Sequence, residues 1–355
     1  MLLDAVGCRN CAWREPCGGR GGQQNLFGCF YACHQPGFCV GLACPCQGDA
    51  YLKLVGDIGG LDARRWRPLL GPTLELPRYV PIVRHGKKRK HAFDRATVGI
   101  SIRDLLPRRR PETYVPIATS AKALREQFRL LPDARIVVSS VAPDEVIEDF
   151  WSYRDVTNVI ARLAKLDLAL MTTPNFSFAT NVARTHTLYS RKRIVITAEE
   201  LSAAGIPTAL HVNAENDVDW DFWFDVLSAF PAIRHVVKEF QTGNRKHPLG
   251  LWALDRMDRM QDRLGRALHP IIVGGAQYVP VLAQRFGAYT VMDSHPFMTA
   301  AHRQELVAWG NRLRKNRRRA ATIDELLDRN ERKYVAMLDR QHERGARRIR
   351  LRLAS

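Results

Sequence analysis

The sequence predicts an α/β protein: a (β/α) barrel of the TIM type, with an N-terminal cysteine-rich metal-binding module and a basic helical C-terminal extension. Three observations predict it. Short polar or glycine-bearing motifs close a series of apolar runs, and a helix-like segment follows each one. Strand-like and helix-like stretches alternate across most of the chain. All eight cysteines fall between positions 8 and 46. The expected divisions are residues 1–48 for the cysteine module, 49–302 for the barrel and 303–355 for the extension.

The cysteines are Cys8, Cys11, Cys17, Cys29, Cys33, Cys39, Cys44 and Cys46, with His34 among them. Clustered thiolates in a reducing compartment point to metal, because soft sulfur suits Zn²⁺ or an iron–sulfur cluster. The pair Cys8 and Cys11 has the spacing of a zinc knuckle, and the later spacings fit no ferredoxin run. Zinc is therefore the expected metal and an iron–sulfur cluster the alternative. Eight ligands could make two four-coordinate sites. A glycine-rich segment with little core of its own would need the metal to fold.

Along the barrel, the expected strands are 79–83, 97–102, 114–118, 135–140, 168–172, 206–212, 235–240, 270–273 and 288–292. Helices are expected after Asn181, over 220–230, over 251–264 and over 279–286, from apolar residues at helical spacing. Alternation of this kind argues for a parallel sheet. The strand-closing motifs are M-T-T-P-N-F-S (171–177), L-H-V-N-A-E-N-D (210–217), V-K-E-F-Q-T-G (237–243), I-I-V-G-G (271–275) and V-M-D-S-H-P-F (291–297). In a barrel these ends form the face that carries chemistry. Asp293 would then stand at the mouth as acid, base or nucleophile.

Lys and Arg total 54 against 36 Asp and Glu, a net +18. The excess favours a polyanionic partner, nucleic acid before an anionic membrane. Two basic knots precede the regular alternation, one of them Lys87, Lys88, Arg89 and Lys90. Residues 303–355 hold 16 Lys and Arg against 7 Asp and Glu, a net +9. Ile323, Leu326, Leu327, Tyr334 and Leu338 keep helical spacing there, so a basic helix is expected. Arg317, Arg318, Arg319, Arg347 and Arg348 are its expected phosphate contacts. The extension reads as separable from the barrel. No run of 18 apolar residues exists and the N-terminus lacks a signal-peptide pattern, so a cytoplasmic protein with no membrane partner is expected.

The late motifs resemble the tRNA-guanine transglycosylase family. In that family a glycine-rich strand end and a helix precede a strand ending G-x-D-x-F-D-x-x-x-P, whose last Asp is the nucleophile. Asp293 and Pro296 fall on that Asp and Pro. Gln241 and Gly243 fall on the Gln and second Gly of the family's V-Q-G-G base-binding strand end. Asn213, Ala214 and Glu215 sit where the family has F-D-E, and 173–177 occupy the place of D-S-G-G-F. Asn175 is nearest to that early Asp and cannot ionise. The order of motifs holds over roughly residues 168–300.

The resemblance implies exchange of guanine for a 7-deazaguanine base through a covalent Asp intermediate. It is closest in kind to phage relatives acting on DNA, with tRNA as the alternative substrate and a bacterial host's cytoplasm as the setting. Asp293 and Glu215 are the expected catalytic carboxylates. Asn175, Asn213, Gln241, Gly243, Gly274 and Gly275 are the expected base-binding set, since amides read a base edge and glycines let a flat ring approach. A duplex substrate would have its nucleotide flipped out. A homodimer is compatible with the sequence. Two other readings are a non-catalytic metal-containing nucleic-acid-binding protein on a degenerate barrel and an iron–sulfur redox enzyme.

Overall fold

The computed structural model describes residues 42–44, 49–62, 66–86, 88–178, 182–310, 312–318 and 320–353, side chains at 312 and 348–353 excepted. Of the eight cysteines only Cys44 is among them, so the expected metal module lies outside the described residues. Residues 42–44 dock on the barrel. The Leu42 amide donates to His186 Nδ1 (3.0 Å), and the Thr185 hydroxyl donates to the Ala43 carbonyl (2.6 Å). Helix α1 (Asp49–Asp57) follows.

Eight parallel strands close a barrel in sequence order. They are β1 (Tyr79–Val83), β2 (Thr97–Ser101), β3 (Arg135–Ser139), β4 (Leu168–Thr172), β5 (Thr208–His211), β6 (His235–Phe240), β7 (His269–Gly274) and β8 (Thr290–Asp293). The ring is completed by β8 on β1, with Val80 opposite Met292 and Pro81 opposite Asp293. These strands are almost wholly buried, as expected where helices cover the outside and side chains fill the inside.

Expected strand 114–118 does not form. Pro111 opens a single 3₁₀ turn, Pro116 has no amide proton, and the Ile117 amide donates to the Leu105 carbonyl. With that segment withdrawn, the nine expected strands become the eight that close a ring.

Between the strands run α2 (Ile102–Leu105), α3 (Ala121–Phe128), α4 (Asp144–Tyr153), α5 (Val159–Leu163), α6 (Arg184–Ala203), α7 (Asp217–Ala229), α8 (His247–Leu264), α9 (Val279–Arg285) and α10 (His295–Ala301). Helix α7 starts at an Asn216 cap whose side chain accepts from the Asp219 amide, and α8 stops at Gly265 in the left-handed region. Alternation sorts side chains by face. Val80, Ile82, Val137, Leu170, Val237, Ile271 and Met292 fill the lumen, whereas Val83, Val236, Phe240 and Val291 join the outer core beneath the helices.

The C-terminal part differs from the expected single helix. Residues after α10 first make an antiparallel hairpin, β9 (Gln304–Trp309) with β10 (Arg312–Arg317), and only then helix α11 (Ile323–Leu353). Arg317 therefore ends a strand. Helix α11 is no appendage: it packs on α9 and α10, and Ile323, Leu326, Leu327, Tyr334, Met337 and Leu338 are buried in the main core. It covers the outer face of β1, which has no helix between it and β2. No helix among the described residues is long and apolar enough to cross a membrane.

The first basic knot is not one surface. Arg89 turns inward to 1 % exposure, and its guanidinium donates to the carbonyls of Phe128 and Arg129. Burial lowers its pKa to about 10. The guanidinium thus closes the end of α3, where the Arg129 carbonyl also accepts from the Phe93 amide (2.8 Å), so Arg89 serves the fold and not a phosphate. Lys88 and Lys90 remain exposed; Lys87 lies outside the described residues.

Candidate active site

The C-terminal strand ends bring the candidate residues onto one face of the barrel, though not onto one side of its wall. At the ends of β4 and β5, Asn213 Nδ2 donates to Asn175 Oδ1 (2.8 Å) and to the Phe176 carbonyl (3.1 Å). Lys238, on the outward side of β6, donates to the Val212 carbonyl (3.2 Å) and Asn213 Oδ1 (3.4 Å). The Trp223 indole N–H donates to the Asn213 carbonyl (2.7 Å). The Asn213 amide is thus engaged from both ends, and Asn175 is the more exposed of the pair. Burial lowers the Lys238 pKa to about 8, against the upward pull of Glu239 and Asp219. Sequence reasoning passed over Lys238; an adjacent Lys–Glu pair inside a buried strand was the available signal.

Glu215 is held in an ion-pair cluster. It accepts from Thr187 Oγ1 (3.1 Å) and Arg184 Nη1 (3.3 Å). Beside it the fully buried Asp219 takes Arg184 through both oxygens (2.6 and 2.8 Å) and Arg191 through one (2.7 Å). This cluster joins the starts of α6 and α7 behind the mouth. A carboxylate so engaged is a poor general base, because its lone pairs already face cations.

At β6 and β7, Gln241 is exposed and lies against Gly274. Gly274 and Gly275 hold φ of 76° and 68°, and a Cβ on either would meet Gln241 Cγ at 2.8 Å or Phe240 Cβ at 2.6 Å. Their lack of a side chain is required by this turn itself, before any base approaches. The Glu239 carboxylate accepts from the amides of Gln241 and Thr242 and from the Thr242 hydroxyl (2.9 Å), which fixes the turn. Gly243 stands in open space, exposed at the start of a 3₁₀ turn.

Within the lumen, the polar residue best placed for chemistry is His211. Its strand alternation puts it on the same face as Ala209 of the lumen core. Burial depresses its pKa to about 3, so the ring is neutral. Nδ1 lies 2.5 Å from the Thr173 carbonyl and must carry the proton, which leaves Nε2 as an acceptor. Nε2 has no hydrogen-bond partner among the described residues, and neither has Ser139 Oγ, on the lumen face of β3. Both were missed; period-two counting from Val137 and Ala209 would have found them.

Asp293 closes β8 on the outer side. Met292 fills the lumen, so the next side chain turns toward α11. Asp293 Oδ1 accepts from the His295 amide (2.8 Å), starting α10, and Oδ2 accepts from the Tyr334 hydroxyl (2.5 Å). Next to it the Tyr79 hydroxyl donates to Glu331 Oε1 (3.0 Å), and the rings of Tyr79 and Tyr334 sit 5.2 Å apart. Burial lowers the His295 pKa against the upward pull of Asp293, and Lys315 of the hairpin adds a smaller lowering. The hairpin packs on α10 and α11, the two helices whose residues donate to the half-exposed Asp293.

Glu331 is fully buried, and that burial pushes its carboxyl from 4.5 up to about 8; Tyr79 and Arg95 oppose the shift and Asp293 adds to it. Arg95 at 4.0 Å does not offset the desolvation. A carboxyl with a raised folded pKa stabilises the fold fully below its unfolded value. That stability is lost as pH rises from about 4.5 through about 8. Glu331→Gln should therefore flatten the pH dependence and be the more stable protein near pH 8.5, by roughly 2–4 kcal/mol. Thermal melts of both proteins at acidic and alkaline pH check this; parallel curves would remove Glu331 as the source.

Of the remaining nucleic-acid candidates, Arg318 pairs with Glu305 (3.0 Å), Arg347 is exposed one turn from Glu343, and Arg317 is exposed. Arg319 and the side chain of Arg348 lie outside the described residues. Among the described residues no group of three or more His, Cys, Asp or Glu could hold a metal.

No family model matches the chain. No curated protein matches it either. Among solved structures it is similar to a "4-hydroxy-2-oxoglutarate aldolase/2-deydro-3-deoxyphosphogluconate aldolase from TTHB1", at 12 % identity and a TM-score of 0.31. The match covers 74 % of this chain and 94 % of that one.

Proposed function

We propose that the protein is a nucleic-acid guanine transglycosylase, exchanging guanine for a 7-deazaguanine base, in DNA before tRNA, with Asp293 as nucleophile. The observation that carries the reading is the placement of Asp293. It ends the last barrel strand, half-exposed, with two donors orienting its carboxylate and the basic hairpin packed on the helices that supply those donors. In the first half-reaction a carboxylate oxygen bonds to C1′ as the C1′–N9 bond breaks, and guanine leaves with a proton from solvent or a nearby donor. In the second, N9 of the incoming base attacks C1′, loses its proton, and frees the carboxylate. Two accepted hydrogen bonds leave an ionised carboxylate further lone pairs for attack. At the same end of the barrel, the Gly274–Gly275 turn follows the adjacent β7 with Gln241 beside it, and Asn175 follows β4 across the ring.

The test is Asp293→Asn assayed with guanine-containing DNA and tRNA. Base exchange should fall below detection while nucleic-acid affinity stays near wild type, because the amide keeps the shape but forms no glycosyl ester. Wild type should form a denaturant-resistant adduct and the variant none. Retained exchange in the variant ends the assignment.

A second reading has its own support. Glu215 is locked by Arg184 and Thr187, and Asp293 lies on the outer side of the barrel wall, which suits a barrel that binds nucleic acid without acting on it. Binding with no adduct and no exchange in wild type would favour that reading.

A further inference from the structure

We propose that the β9–β10 hairpin is a binding surface for unpaired nucleic acid, with Trp309 as its base-stacking platform; this rests on the reading that the chain acts on nucleic acid. Trp309 is 56 % exposed, the only aromatic among the large exposed apolar residues of the described chain. It ends β9 opposite Arg312, one pair from the tip glycine Gly310. The guanidinium carbon of Arg314 lies over its ring, 3.1 Å from the centroid. A ring held this way by a cation is oriented yet still open to a second flat group, and every base has a π-face.

Charge gives the second part of the argument. Strand β10 reads R-L-R-K-N-R, four cations in six residues. The one carboxylate that β9 offers, Glu305, is spent on Arg318 (3.0 Å) and Lys333 (2.6 Å). Lys315 and Arg317 stay exposed. At the hairpin foot an open depression of about 330 Å³ is lined by His302, Arg303, Gln304 and Arg317, so two arginines face it. Cations along a strand that ends in an exposed, oriented indole match a backbone with its bases turned out. A duplex offers the phosphates but hides the base faces, so Trp309 would contribute there only at an end or a flipped position.

The test uses the full chain and a fluorescein-labelled oligothymidylate beside a blunt duplex of equal length, titrated by anisotropy over a range of salt. Base–aromatic stacking of about 1–3 kcal/mol corresponds to roughly 5–150-fold in affinity. Trp309→Ala should weaken oligothymidylate binding by that factor, leave the salt slope unchanged, and leave duplex affinity within about twofold. Trp309→Phe should restore most of the loss. The paired change Lys315→Ala and Arg317→Ala should instead reduce the salt slope by roughly 1.4 on the single strand. Equal loss on both polymers, or no loss on the single strand, overturns the proposal. Failure of base exchange would leave these binding ratios untouched, so the two readings fall separately.

Discussion

A chain ending at Ala320 should not fold, whereas one ending at Ala346 should melt like the full protein. The shorter chain loses all of α11, and with it six core side chains: Ile323, Leu326, Leu327, Tyr334, Met337 and Leu338, each at most 7 % exposed. At about 1.5–3 kcal/mol per buried large apolar side chain, the loss is roughly 10 kcal/mol or more. Domain stability is itself only about 5–15 kcal/mol. The cut also uncovers the outer faces of β1 and β8, strips Tyr79 of Glu331, and removes the Tyr334 hydroxyl from Asp293. Expression of both chains followed by thermal melts and gel filtration decides it. A cooperative transition near the full-length value in the shorter chain would make α11 the separable arm that its charge suggested.

That contrast shows what the sequence could and could not convey. Ranges 79–83 and 168–172 were legible to the residue, because a buried parallel strand is a short, mainly apolar run with few alternatives. Segment 114–118 had the same apolar look, but Pro116 within it and the Pro111 turn before it left the backbone with no ladder to join. The C-terminal hairpin was hidden by charge. Only Leu306 and Glu305 of β9 are buried, and β10 shows almost no alternation, so the region read as one basic helix. Tertiary packing of α11 likewise outweighs its net positive charge.

The candidate site was legible as an address more than as a geometry. Every motif does end a barrel strand, and Asn175 does meet Asn213. What one-dimensional spacing did not convey is which side of the wall a side chain takes. Counting two residues back from Asp293 would have placed it with Val291 on the outer face, opposite Met292. The same count would have put His211 and Ser139 inside. Asp217, Asp219 and Asp221 alternate along the sequence as one acidic run. Helical spacing separates them: Asp219 faces inward at 0 % exposure, while Asp217 and Asp221 pair on the surface with Arg256 and Arg263.

Asp219→Ala should then be among the most destabilising single changes at the mouth. Asp219 sits in the first turn of α7, where the helix dipole favours a negative charge. It also accepts the Glu215 amide (2.9 Å), so it ties the β5–α7 turn to α6 through Arg184 and Arg191. Those guanidinium groups are 7 % and 6 % exposed, and Arg191 lies over the Phe222 ring at 4.0 Å. Removing the carboxylate deletes three charge-assisted hydrogen bonds from Arg184 and Arg191. Breaking a buried pair from one side costs about 3–5 kcal/mol, because desolvation of both cations loses its largest compensation here. Asp217→Ala is the matched control: its pair with Arg256 is 68 % exposed on the Asp side, and such pairs are worth about 0–1 kcal/mol. Urea unfolding of both variants at neutral pH should separate them by more than about 2 kcal/mol with similar m-values. Equal midpoints would mean that the mouth is braced by packing alone, and that Glu215 owes its position to something other than this cluster.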